Sequence, residues 1–143
     1  MAGQIPLLIE SNGRNHSVPD HFQDIVVQLS TKADTPADVD DSVLFYAERD
    51  TVVDAAFIVT TKEDSDQTFQ LKRITSTQDP DGAGTALSNA QVLAAAYTPY
   101  TFTLVETENL IPAGSMVAIN IEGAGTAEME VTVQMRIRTR VSG

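Results

Sequence analysis

The last stretch of the chain constrains its fold most. Val131, Val133, Met135 and Ile137 alternate with Thr132, Gln134, Arg136 and Arg138, and the pattern runs on through Thr139, Arg140 and Val141. A period of two held this long means a strand with one row of side chains in a core and the other facing away. A helix would scatter the same apolar residues around its whole circumference.

Shorter runs of the same kind precede it. Val43 to Tyr46 is a run of strand-favouring types, and Ala55 to Thr61, AAFIVTT, is continuous enough to predict a strand buried on both faces. In Thr68 to Thr75, Phe69 and Leu71 fall on one face, Gln70 and Lys72 on the other. Tyr100, Phe102 and Leu104 alternate with Thr101 and Thr103, as Val117, Ile119 and Ile121 do with Ala118 and Asn120.

Turn chemistry separates these runs. Asp79 to Gly84 is a Pro and Gly cluster, Ile111-Pro112-Ala113-Gly114 suits a type I turn, and Glu122 to Gly125 reads as a hairpin tip. One segment breaks the β pattern. Leu87 to Ala96, LSNAQVLAAA, is rich in helix formers, and Ser88 with Gln91 has capping-box spacing. It predicts a short helix ended by Tyr97-Thr98-Pro99, with an irregular crossover as the alternative. The fold class is therefore all-β: a sandwich or barrel, jelly-roll-like, with one short helix and an extended N-terminal arm.

That arm is residues 1–42, ahead of a β-rich body at 43–143. It holds two short apolar runs, Ile5 to Ile9 and Ile25 to Leu29, set among polar residues. Two such runs cannot bury a core by themselves, so they predict an arm laid on the body or on a neighbour. Two ordinary edge strands are the alternative. The leading residues MAGQIPLLIESNGR lack the basic and apolar regions of a signal peptide.

Composition narrows the function. The 143 residues carry 9 basic against 20 acidic side chains, a net charge of −11. Phosphates would be repelled, so neither nucleic acid nor an anionic membrane is an expected partner. No cysteine is present, which removes disulfides, thiolate nucleophiles and Cys-ligated zinc.

Site chemistry is sparse. His16, Ser17, Asp20 and His21 supply triad residue types within one polar stretch, but types in a loop do not make a triad, and a solvated loop is the simpler reading. The two histidines have neither helical nor strand spacing for a shared metal. Thr77 to Ser88, with Asp79 at the third position, fails an EF-hand pattern at both anchoring ends. The acidic clusters at Asp38 to Asp41 and Glu63 to Asp66 read as solvated loops. The two GAGTA strings, at Gly82 and Gly123, lack the third Gly or Lys of a phosphate loop. No catalytic residue, cofactor or metal is expected.

Arg136, Arg138 and Arg140 are the most pointed feature. Alternation lines all three along one face, where like charges repel. Either the chain's own aspartates relieve this, or an acidic surface on a partner does.

Phe69-Gln70-Leu71, Gly84 to Leu87, Thr98 to Leu104 and Ile111 to Ile119, with its IPAG turn, follow one another in an order that resembles the small β-rich head-decoration (capsid cement) proteins of tailed bacteriophages. The resemblance spans the C-terminal hundred or so residues. It implies a non-enzymatic virion protein, a homotrimer on the capsid surface that binds the major capsid protein and grips the shell with its N-terminal segment. Partner-binding residues would then be Ile5, Leu7, Leu8 and Ile9 of the arm and Arg136, Arg138 and Arg140 of the last strand. A tail or fibre module, or a carbohydrate-binding sandwich with Tyr97 and Tyr100 as an aromatic platform, is the alternative. A hydrolase using His16 or His21 is a third reading.

Overall fold

The computed structural model describes residues 21–31, 40–76, 83–123 and 128–139. Among these residues, ten strands form two five-stranded antiparallel sheets. They are β1 (His21–Ser30), β2 (Val43–Tyr46), β3 (Thr51–Thr60), β4 (Asp64–Ile74) and β5 (Thr85–Ala86), then β6 (Gln91–Leu93), β7 (Tyr100–Thr101), β8 (Leu110–Ile111), β9 (Met116–Gly123) and β10 (Glu130–Thr139). One sheet runs β1-β10-β3-β7, with β8 also on β3. The other runs β2-β9-β4-β5, with β6 also on β4. The arrangement is sandwich-like.

The inward rows meet between the sheets. β10 contributes Val131, Val133, Met135 and Ile137, and β3 contributes Val53, Ala56 and Ile58. Phe69 and Leu71 of β4 and Val117, Ile119 and Ile121 of β9 face them from the other sheet. Each large side chain so buried contributes roughly 1.5–3 kcal/mol from water exclusion.

Four expectations are corrected. First, no helix occurs among the described residues; 87–96 runs beside β4, its middle forming the short strand β6 paired to it. Leu87 N donates to Leu71 O at 2.9 Å, and the Ser88 hydroxyl accepts from Leu71 N at 3.0 Å, so the residue expected to cap a helix ties the chain to a strand. Leu87 and Leu93 are both fully buried. A helix of ten residues is marginal by itself, and tertiary burial overrides its propensity.

Second, β9 and β10 belong to different sheets, so the Gly-rich stretch between them is no hairpin tip. Third, the IPAG turn closes one residue later than expected. Ser115 N donates to Pro112 O at 2.9 Å, and Gly114 takes φ +89° at the third position, as a type II turn requires. Fourth, β3 is not buried on both faces: Ala55, Phe57 and Val59 are half-buried between the buried Ala56, Ile58 and Thr60.

The 1–42 segment contains β1, which includes the Ile25 to Leu29 run. Its ten residues pair antiparallel with β10 from His21↔Thr139 to Ser30↔Glu130. Ile5 to Ile9 lies outside the described residues.

Candidate interaction surface

The outer face of the β1-β10-β3 sheet carries the side chains singled out by charge. Register places Phe22 opposite Arg138 and Asp24 opposite Arg136. Arg136 Nε donates to Asp24 Oδ1 at 3.2 Å, with both side chains largely exposed. Such a pair contributes about 0–1 kcal/mol.

Arg138 is held more firmly. Its Nε and Nη2 donate to Asp54 Oδ2 and Oδ1, each at 3.3 Å, and its guanidinium carbon lies 5.9 Å from the Phe22 ring centre. Asp54 reaches it because β3 carries one extra residue here. Arg136 pairs with Ala55 but Ile137 pairs with Val53, so Asp54 is left over as a bulge. Bulges of this kind re-aim a side chain, and this one delivers a carboxylate to a two-pronged guanidinium. The chain's own aspartates thus engage Arg136 and Arg138. Arg140 lies outside the described residues.

A third arginine was missed by sequence reasoning. Arg73 follows Phe69 and Leu71 in the inward phase of β4, an unusual place for a cation. It donates from Nη1 to the carbonyls of Glu108 (2.8 Å) and Leu110 (2.9 Å), and from Nη2 to Glu108 Oε1 at 2.9 Å. Its phase was the available signal: a long cation on a core-facing row needs fixed acceptors.

The acidic clusters do structural work. Asp40 Oδ1 accepts from Ile121 N at 2.7 Å and from Asp41 N at 3.0 Å. Asp64 Oδ1 accepts from Asp66 N (3.2 Å) and Gln67 N (3.1 Å) at the start of β4. Burial raises the Asp64 carboxyl above its ordinary value of 3.8, against these two amide bonds, and Asp66 adds repulsion. Asp64 Oδ2, Gln67 Oε1 and Asn120 Oδ1 are buried without a hydrogen-bond partner. Among the described residues, no three His, Cys, Asp or Glu side chains gather to hold a metal. Asp38, like His16, Ser17 and Asp20 of the triad reading, lies outside the described residues.

Gly123, from the second GAGTA string, has a packing role. It takes φ +106°, and a Cβ there would run into the Asp66 carbonyl oxygen. Tyr97 is 74% exposed at φ +55°, whereas Tyr100 packs against the core, so the two rings form no shared platform. At one end of the sandwich an open hollow of about 310 Å³ is lined by residues including Gln23, Tyr46, Glu48, Arg49 and Thr139.

No protein-family model matches the chain. No curated protein matches it. Among solved structures, a chain of the cyanophage Pam1 capsid asymmetric unit aligns with a TM-score of 0.53 at 12% identity, covering 92% of this chain and 94% of that one. A chain of the disulfide-linked pili that form Bacillus endospore appendages aligns at 0.45 and 13% identity, covering 94% and 100%. One from infectious bursal disease virus strain Gx aligns at 0.41 and 12%, covering 92% of this chain and 36% of that one. The Pam1 likeness establishes a shared fold over nearly the whole of both chains.

Proposed function

We propose that this chain is a non-enzymatic structural protein of a virion, one that binds the major capsid protein at the capsid surface and stabilises the head as a homotrimer. The observation that carries the reading is the Pam1 capsid likeness, which spans both chains almost end to end. It agrees with the resemblance of the C-terminal body to head-decoration proteins. Non-enzymatic character is supported by the described carboxylates, several of which cap backbone amides or pair with arginines and so are spent on the fold.

Partner contacts are assigned to Ile5, Leu7, Leu8 and Ile9, ahead of β1, and to the strand row of Arg136, Arg138 and Arg140. Arg136 is well suited, since its side chain remains 59% exposed while bonded to Asp24. The test is co-sedimentation with capsids through a density gradient. Wild type should travel with the shell, and a full-length variant with Ile5, Leu7, Leu8 and Ile9 all changed to Ser should stay at the top. Deleting 1–42 is the wrong control, because it removes β1 and uncovers β10. Failure of wild type to sediment with any shell overturns the reading, and light scattering that finds only monomer overturns the trimer.

A further inference from the structure

We infer that the outer edge of β1 is a contact with a second copy of this chain, the two β1 strands pairing antiparallel about a two-fold axis at Val26. Among the described residues, β1 pairs only with β10 and closes its sheet. The other strands at the sheet margins, β2 and β5 to β8, have two to four residues each, the short form that resists edge pairing. β1 has ten, with no Pro and no Lys to blunt it. Its outward row also holds two large exposed apolar side chains, Phe22 (64%) and Val26 (60%).

Charge selects the occupant. The whole chain carries −11, so most approaches between two copies bring like charges together. The β1–β10 ribbon carries none of that excess: Asp24 and Glu130 balance Arg136 and Arg138, and it is formally neutral. The register is self-complementary as well. With Val26 opposite Val26 of the second copy, Asp24 meets Gln28 and Phe22 meets Ser30, so no like charges oppose. Whichever backbone amides point outward, this register sets outward residues against outward residues, and the ladder can form. A two-fold contact of this kind is distinct from a three-fold interface and would link one trimer to the next.

Absence of native cysteine makes a single introduced thiol a clean probe. Directly opposed residues in an antiparallel pair have Cα atoms about 4.5–5.5 Å apart, within disulfide reach. In the full chain under mild oxidation, Val26→Cys should give disulfide-linked dimers, while Val92→Cys, an exposed valine on β6, should not. Sedimentation of the unmodified protein should show an even-numbered association step that Val26→Lys abolishes, with an unchanged circular dichroism spectrum. Linkage at position 26 no faster than at 92, or association of Val26→Lys equal to wild type, overturns the contact. So does protection of β1 edge amides from hydrogen exchange in a protein that never associates, which would assign the edge to the chain's own residues. None of these readouts needs a capsid, so they stand apart from the test of virion function.

Discussion

Changing Arg138 to Gln separates the two ways the strand arginines can be used. If Arg138 serves the fold, its loss weakens the isolated chain. If it serves a partner, stability is untouched and only assembly suffers. The structure gives the expected size. Arg138 makes a two-pronged bond to Asp54, with both side chains about one-third exposed, and stacks over Phe22. An ion pair of this exposure is worth up to about 1 kcal/mol and the ring contact roughly 0.5–1 kcal/mol. Arg138→Gln should therefore cost about 0.5–2 kcal/mol. Arg136→Gln, which breaks one bond between exposed groups, should cost less than about 1 kcal/mol.

The assay is a pair of double-mutant cycles read by urea unfolding, Arg138→Gln with Asp54→Asn and Arg136→Gln with Asp24→Asn, at low and high salt. Coupling in the Asp54 cycle should exceed that in the Asp24 cycle, and the latter should fade with salt, because both of its members are open to the screening ions. Zero coupling at Arg138 and Asp54, or a larger value at Arg136 and Asp24, would refute the claim that the β3 bulge exists to deliver Asp54. A stability that rises with protein concentration would move the arginines to an interface between chains.

Two glycines at positive φ should respond differently to alanine. Gly114 has nothing within 4 Å of the added Cβ, so Gly114→Ala carries only the left-handed strain, about 1–2 kcal/mol by urea denaturation. Gly123→Ala adds a clash with the Asp66 backbone and should cost about 1–3 kcal/mol more. Asp64 should show the pH signature of a carboxyl raised in the fold. Its protonated form is favoured by folding, so its destabilising effect is absent below the ordinary value of 3.8 and grows as pH rises towards the folded value. Asp64→Asn keeps an acceptor for the Asp66 and Gln67 amides and should be more stable than wild type at pH 7, the gap closing near pH 3.5. Ser88→Ala leaves the buried Leu71 amide without its acceptor and should lower stability by about 1–3 kcal/mol, measured by thermal unfolding.

The β elements were legible where one face is buried and the other is not. β10 shows its period directly, because the sheet covers Val131, Val133, Met135 and Ile137 and leaves the alternate row facing outward. The same signal is silent on partners. An alternating strand looks identical whether its neighbour in sequence lies beside it or across the core, which is why β9 and β10 resembled a hairpin. The bulge did leave a trace. Val53 and Ala56 are both buried yet three residues apart, a slip of phase that places the extra residue at or near Asp54. Reading the strand from Ala55 onward cut that slip away. Leu87 to Ala96 misled for a different reason: local propensity favours a helix there, but the decisive interactions come from Leu71, sixteen or more residues earlier. The arginine row was legible as a row, while the aspartates that answer it sit on β1 and β3, far away in sequence.

That last separation bears on how an acidic chain can assemble at all. Carboxylates drawn to Arg136, Arg138 and Arg73 are neutralised where they stand, whereas the remaining acids keep the chain at −11. Repulsion between copies is therefore uneven over the surface, and an approach over the formally neutral β1–β10 ribbon meets little of it. Asp24 of β1 answers Arg136 within the ribbon, and Asp54 of β3 holds Arg138 from the other side of β10. Removing Arg136 would leave Asp24 uncompensated on β1 itself. Association between copies should then fall more steeply than the modest loss of fold stability would predict, and high salt should restore part of it.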